Sequence, residues 1–217
     1  MSLQNSELLA ANVTFLTAEG VTVIEPTGAQ EIASILDDAT VQISIIPGTV
    51  IQVLSMRKQW LVNVGGNRLV VADQSGASDP RPQLATLAAR FADLFFPDIS
   101  PRFRDYGYNF EVAFDTSGGE PAREVIRDKL LKPDLLSNVE NAFVKGATSV
   151  RVLFDWDGAG CQLVIEPRGG TEATRLYATI NFNYSIGGAA LPSQDEMKAD
   201  IERRWASYLE LLDRMVA

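Results

Sequence analysis

The sequence predicts an α+β protein in which antiparallel β-meanders are covered on one face by helices, as one compact unit or as two similar meander-and-helix halves. Strand patterns and amphipathic helix patterns alternate along the chain. The clearest strand signal is Phe103–Asp115, because from Tyr106 onward every even position is large and apolar and every odd position is small, polar or charged. Alternate side chains of a strand point to opposite faces, so this segment predicts a central strand with one buried face.

The first quarter of the chain predicts four strands around one short helix. The helix is indicated by apolar residues at helical spacing around Ile32 and Leu36. The first two strands are separated by three residues, which predicts a hairpin, and the last two flank a Pro-Gly pair. Their register stays open, because both of their faces carry isoleucines. The strand segments are Leu8–Thr17, Val21–Glu25, Val41–Ile46 and Val50–Leu54.

A glycine hairpin and a helix complete the first half. With Gly65 and Gly66 as the two turn residues, the apolar side chains of both strands lie on the same face of the hairpin. The predicted cross-strand pairs are Val64 with Asn67, Val62 with Leu69, Trp60 with Val71 and, on the other face, Asn63 with Arg68. Apolar residues from Leu84 to Phe95 then recur at steps of three and four, which predicts a helix that Pro97 ends.

The proline-containing segment Asp98–Arg102 predicts a linker between two halves. Residues 1–100 would form an N-terminal meander with its helix. Residues 101–217 would contain the central strand, a helix, a three-stranded meander and a terminal helix. Gly66–Gly76 and Gly160–Gly170 share a faint pattern of glycine and aliphatic residues. We attribute it to the common needs of glycine hairpins rather than to a duplication.

The second half contains the best-defined hairpin and helix. Helical spacing predicts helices over Ala122–Leu130 and Leu135–Phe143, and Asp157 with Gly158 predicts a tight turn. The pairs expected around that turn are Phe154 with Cys161, Val152 with Leu163 and Val150 with Ile165. A third strand places Leu176, Ala178, Ile180, Phe182 and Tyr184 on one side.

The terminal helix begins with a capping box formed by Ser193 and Glu196. Its apolar stripe runs from Met197 to Met215, and this stripe should pack on the meander. Two ion pairs at i,i+4 spacing are expected on its outer face. These pairs are Asp200 with Arg204 and Glu210 with Arg214.

The composition favours a protein partner over nucleic acid. The 217 residues include 28 acidic and 19 basic side chains, and the formal net charge is −9 at pH 7. No Lys or Arg precedes Arg57, whereas six acidic residues do. Nucleic-acid affinity comes mostly from neutralised phosphates, so a polypeptide, basic in character, is the expected partner.

Residues that are rare or absent exclude several chemistries. The chain has no histidine and one cysteine, Cys161. Ser-His-Asp and Cys-His mechanisms, histidine zinc sites and intramolecular disulfides are therefore excluded. We expect no cofactor. The sequence has no apolar run of membrane-spanning length and no signal-peptide pattern, so we expect a cytoplasmic protein without a membrane partner.

One motif suggests a metal site. Asp155, Asp157, Gly160 and Glu166 occupy positions 1, 3, 6 and 12 of an EF-hand calcium loop. The flanking residues alternate like strands, however, and the hairpin register separates Glu166 from the two aspartates. A solvated hairpin tip is the favoured interpretation, and a metal site at Asp155, Asp157 and Glu166 is the alternative.

The central strand supplies a candidate binding groove. Its aromatic residues Tyr106, Tyr108 and Phe110 could line an apolar groove for a peptide or a small ligand. Arg102 and Arg104, directly before the alternating segment, could bind an acidic group of the partner, although a solvated strand entrance with one ion pair is the favoured interpretation of these two residues. Packing of these rings in the core is the interpretation that the pattern favours over the groove.

These observations favour a non-catalytic, acidic protein-binding module of a chaperone-like or inhibitor-like kind. In acidity and in antiparallel strands with packed helices, the chain is similar to small acidic bacterial chaperones and immunity proteins, but it shares no motif with them and no residue is carried over. The alternatives are a divalent-metal hydrolase or transferase that uses only Asp and Glu, and a structural subunit of an assembly. A homo-oligomer is compatible with all three.

Overall fold

The structure of the protein is a computed structural model. In the part of the chain that it describes, nine antiparallel strands form one open sheet. The described residues are 3–18, 28–46, 50–96, 103–131, 149–169, 173–187 and 190–216. The strands are β1 (Gln4–Thr17), β2 (Gln42–Ile46), β3 (Val50–Ser55), β4 (Trp60–Gly65), β5 (Arg68–Asp73), β6 (Phe103–Asp115), β7 (Val150–Trp156), β8 (Ala159–Pro167) and β9 (Arg175–Ser185). With the helices described next, the sheet confirms the predicted α+β class.

The helices pack on one face of this sheet, which we call the helix face. They are α1 (Gly28–Leu36), α2 (Gln83–Phe95), α3 (Ala122–Val125), which continues as a π-helical turn (Ile126–Leu130), and α4 (Gln194–Val216). In α4, Trp205 and Tyr208 lie over the ring of Phe110 on β6, at centroid distances of 5.5 and 6.4 Å. Each helix in the described part of the chain is too short or too polar to span a lipid bilayer.

The strand order, β2–β3–β4–β5–β1–β6–β9–β8–β7, places β1 and β6 side by side at the centre. Each half consists of a strand, a helix, a meander whose last strand returns beside the first, and a second helix. The two halves therefore have similar topologies, as the fold prediction allowed. By this topology β5 corresponds to β9, whereas the glycine pattern in the sequence aligns β5 with β8, so that pattern does not mark the structural repeat.

The alternation predicted for the central strand is confirmed. Tyr108, Phe110, Val112 and Phe114 on β6 are fully buried on the helix face. Of their neighbours at odd positions, Asn109 and Glu111 are half-buried on the other face, whereas Ala113 is fully buried there. The division into domains 1–100 and 101–217 stays a prediction. The linker Asp98–Arg102, the strand Val21–Glu25 and the helix Leu135–Phe143 lie outside the described residues.

The two hairpins whose cross-strand pairs were predicted have different outcomes. Every predicted pair of the β7–β8 hairpin is present, and Asp157 and Gly158 form its turn with φ values of +50° and +78°. In the β4–β5 hairpin the predicted pairs are wrong, because Gly65 pairs with Arg68 and Val64 with Leu69.

The reason for the β4–β5 correction is the position of the turn. Gly66 and Asn67 form it, so the turn lies one position later than predicted, and Gly66 has a φ of +57°. Asn63 consequently faces Val70 and not Arg68. The error moves the register by two residues, so every side chain keeps its predicted face.

The end of α1 is joined to the sheet by one carboxylate. Asp38 accepts hydrogen bonds from Ser55 Oγ on β3 at 2.6 Å, from Thr40 N at 2.9 Å and from Thr40 Oγ1 at 2.7 Å. These hydrogen bonds, with that of Ser55 first, lower the pKa of Asp38 to about 2. The ionised form of Asp38 therefore stabilises the contact between α1 and β3.

We predict that the Asp38→Asn variant loses less of its free energy of unfolding at low pH than the wild type does. The pKa of Asp38 is about 2 in the folded protein and about 3.9 in the unfolded chain. The ionised carboxylate therefore stabilises the fold above about pH 4, and this stabilisation is lost as the pH falls from about 4 to about 2. Urea unfolding between pH 5 and pH 2 should give a shallower loss of free energy for D38N than for the wild type. Asp93→Asn, at an exposed position of α2, is the control, and equal slopes for D38N and the wild type would contradict the prediction.

We also predict that Gly107→Ala is strongly destabilising. A Cβ atom at Gly107 on β6 would lie 2.3 Å from the backbone oxygen of Phe182 on β9, so a strand would have to move. The matched control is Gly160→Ala on β8, where the nearest atom would be 3.9 Å away. Denaturant unfolding should show a loss of about 2–4 kcal/mol for G107A and less than about 1 kcal/mol for G160A. Equal losses of stability for the two variants would contradict the prediction that the close backbone oxygen of Phe182 makes G107A the more destabilising change.

Candidate functional site

Most of the predicted aromatic groove lies in the core. Tyr108 and Phe110 are 0% exposed beneath α4, so packing, the favoured interpretation, describes these two rings. Tyr106 is half-buried and stacks on Tyr184 at a centroid distance of 4.8 Å. Arg104 is exposed and pairs with its neighbour Asp105 at 2.7 Å, whereas Arg102 lies outside the described residues. As a binding site, the groove stays a prediction for Tyr106 and Arg104.

A buried arginine lies beside these tyrosines. Arg204 was predicted on the outer face of α4, and this is wrong, because the residue is only 1% exposed. Its guanidinium donates to Trp156 O at 3.1 Å, to Asp157 O at 2.6 Å and to Tyr184 Oη at 2.7 Å. The carbonyl groups of the β7–β8 turn point at α4. A guanidinium group carries several N–H donors, so one arginine can hydrogen-bond to more than one of these carbonyl groups.

The polar groups around Arg204 form a closed network. The Tyr184 hydroxyl donates to Asp200 Oδ2 at 2.7 Å, and Asp200 lies 3.7 Å from Arg204 Nε. Burial raises the pKa of Tyr184 and of Tyr108, so both hydroxyls stay protonated at neutral pH. The hydrogen bond from Arg203 lowers the pKa of Asp157. The network therefore holds α4 against the β7–β8 turn.

The three residues of the candidate metal site are not brought together. Asp157 lies in the β7–β8 turn and is bound by Arg203 of α4. Asp155 faces Gly160 near that turn, whereas Glu166 faces Tyr177 toward the other end of β8. In the described ranges of the chain, no group of three His, Cys, Asp or Glu side chains is placed to hold a metal ion.

We predict that Arg204→Met costs about 3–5 kcal/mol of stability, because it leaves buried carbonyl groups without their donor. The matched control is the same change at Arg203, whose side chain is 53% exposed, and its cost should be within about 1 kcal/mol. Urea unfolding of both variants measures the difference. A loss at position 204 no larger than that at 203 would show that the buried hydrogen bonds add little net stability.

The second face of the sheet, which we call the open face, is formed by alternate residues of all nine strands. At its centre Asn12, Asn109 and Asn181 lie side by side on β1, β6 and β9. Asn109 Nδ2 donates to Asn12 Oδ1 at 2.7 Å, and Asn181 Nδ2 donates to Asn109 Oδ1. This amide row crosses the junction of the two halves. This row was not predicted from the sequence, although Asn109 lies at an odd position of the central strand.

Aliphatic side chains cover the part of the open face that belongs to the first half. Five of them are partly exposed, and Leu54 and Leu61 form a direct cross-strand pair. The wet face of an antiparallel sheet usually carries polar residues, so these aliphatic residues are unusual. The apolar residues noted on both faces of the early strands are the sequence signal for this surface. The five residues are Leu16, Val50, Leu54, Leu61 and Val70.

The charges on the open face are mainly acidic. Six carboxylates and three guanidinium groups occupy its strand positions. Arg175 is already paired, at 2.9 Å with Glu7 and at 3.6 Å with Asp115. The acidic residues are Glu7, Asp105, Glu111, Asp115, Asp155 and Glu166, and the basic residues are Arg68, Arg151 and Arg175. The face therefore combines apolar surface with net negative charge.

A shallow depression lies between the apolar and the amide parts of the open face. Its volume is about 160 Å³, and Leu16, Arg68, Asn181 and Asn183 are among its lining residues. Gly107 also lines it and has no side chain that could fill it. The depression offers amide and guanidinium groups beside an aliphatic wall, which suits a peptide segment with mixed chemistry.

Comparison with known proteins adds little to this description. No family model matches the chain, and no curated protein matches it. Among solved structures, Methanococcus jannaschii TBP matches with 11% sequence identity and a TM-score of 0.35, over 94% of this chain and 98% of that chain. A likeness this weak carries no argument about fold or function, so the surfaces described above are the basis for any proposal.

Proposed function

We propose that the protein is a non-catalytic, acidic protein-binding module that recognises a polypeptide through the open face of its sheet. The observation that carries this proposal is the cluster of partly exposed aliphatic residues around Leu54 and Leu61 on a face with no described helix over it. Water contact with such a cluster is unfavourable, and burial by a partner removes it. A chaperone-like or inhibitor-like role would use a surface of this kind.

The charge of the open face supports a basic polypeptide as the partner. Aliphatic side chains of the partner would contact Leu61 and Val70, and its Lys or Arg side chains would meet the carboxylates at the same face. Opposite charges steer association and select against acidic partners. The amide row with Asn109 and Asn181 can hydrogen-bond to backbone groups of a bound segment, which gives affinity without demanding one sequence.

The proposal also places the protein in the cytoplasm. Its single cysteine, Cys161, is buried and free, which fits a compartment in which thiols stay reduced. Burial raises the pKa of the Cys161 thiol and makes it unreactive.

We expect a synthetic peptide in which pairs of valines alternate with pairs of lysines to bind the open face, because an extended chain of this kind presents both residue types to one face. A peptide of the same length with glutamate in place of lysine should bind much more weakly. Nuclear magnetic resonance titration of the labelled protein should show shifts on β3, β4 and β5, which carry aliphatic residues of the open face, and on β1 and β6, which carry its carboxylates. Leu61→Glu should weaken binding at least about tenfold, because it places a charge in the aliphatic cluster. The matched control is Ala199→Glu on the exposed side of α4, which changes the net charge equally and should leave binding unchanged.

Three outcomes would contradict the proposal. They are equal binding of the two peptides, shifts confined to the helices, and an L61E variant that keeps its fold and binds as well as A199E. The fold of each variant is checked by its own spectrum before titration, so that a loss of binding is not confused with unfolding.

A further inference from the structure

Among the described strands, β2 is an edge of the sheet that nothing described covers. In the described residues it pairs with β3 alone, so the backbone groups on its outer side have no strand partner there. Natural edge strands are usually protected by charged residues or proline. The five residues of β2, Gln-Ile-Ser-Ile-Ile, contain neither, whereas the opposite edge, β7, carries Arg151 and Asp155.

Large apolar side chains are exposed along this edge. Ile45 is 52% exposed and Ile46 is 58% exposed, on opposite faces of the sheet. Ile43 is half-buried and lies beside Val53, which is completely buried. The apolar rows of the helix face therefore run outward to β2 and end there at water.

We propose that β2 pairs antiparallel with β2 of a second copy of this chain, around a two-fold axis at Ser44. In this register Ile43 of each copy faces Ile45 of the other, Gln42 faces Ile46, and Ser44 faces Ser44. Both isoleucine pairs lie on the helix face and continue its apolar rows. The two sheets join with their helices on the same side, and the two open faces become one surface.

The strand itself favours a second copy over a different partner. Its sequence is self-complementary in the antiparallel register, since every residue meets a neutral residue and the isoleucines of the helix face meet each other. The chain carries a net charge of −9. Because β2 has no charged residue, two copies can pair through it without placing like charges opposite one another. A basic polypeptide would find no carboxylate on β2 and would instead favour the acidic open face. A five-residue strand pair buries little area, so the dimer is expected to be weak and to exchange.

A charge swap on the two-fold axis tests this register. Ser44→Asp and Ser44→Lys each place like charges opposite one another, so each variant alone should dimerise about 5- to 10-fold more weakly than the wild type. An equimolar mixture of S44D and S44K should recover an affinity within about threefold of the wild type. Analytical ultracentrifugation from about 10 µM to 1 mM measures the four dissociation constants, those of the wild type, S44D, S44K and the mixture.

The matched control is the same pair of changes at Gln52, which lies beside Ser44 on β3 and is exposed on the same face. In the proposed dimer the two Gln52 residues are three strand spacings apart, about 14 Å, which exceeds the screening length of about 8 Å in physiological salt. The Gln52 variants should therefore dimerise like the wild type, alone and mixed.

Two results would overturn the proposal. One is a wild-type protein that stays monomeric over the whole concentration range. The other is a dimer that neither S44D nor S44K weakens, or a mixture of the two variants that does not restore the wild-type affinity. In either case the copies would meet at another surface or in another register. Neither result bears on peptide binding at the open face, which the Leu61→Glu experiment tests separately.

Discussion

The antiparallel pairing of β1 with β6 joins the two halves of the protein into one sheet. It places Val13 beside Tyr108 and Asn12 beside Asn109, residues almost a hundred positions apart in the chain. Each strand of the pair then receives the last strand of its own meander, β5 on one side and β9 on the other. Without this pair the two meanders would be separate sheets, and the core beneath them would be divided.

All four described helices lie on one face, and this has consequences for both faces. On the helix face, aromatic and aliphatic residues such as Phe15, Phe110 and Trp205 are buried and supply the apolar area that stabilises the fold. On the open face, aliphatic residues remain beside carboxylates and amides. Because an antiparallel sheet is stable with a single covered face, the second face is free to serve as a binding surface.

Arg204 shows how a buried charge can organise a local structure. Its guanidinium satisfies carbonyl groups of the β7–β8 turn and the hydroxyl of Tyr184, which places α4 on the second meander. Its carboxylate neighbours Asp157 and Asp200, at 3.6 and 3.7 Å, balance the buried charge. The sequence signal for this role is its place in the apolar stripe, directly before Trp205 and three residues after Ile201.

Elements with local signals could be predicted from the sequence. Period-two alternation predicted the central strand, the Asp-Gly pair predicted the β7–β8 hairpin with its register, and Ser193 with Glu196 predicted the start of α4. Four features became known only from the folded structure, namely the pairing of β1 with β6, the turn position at Gly66, the burial of Arg204 and the composition of the open face. This difference arises because side-chain period and capping depend on residues a few positions apart. Strand partners and burial depend on contacts between distant segments, such as the hydrogen bond between Asn12 and Asn109, and no pattern within one segment specifies them.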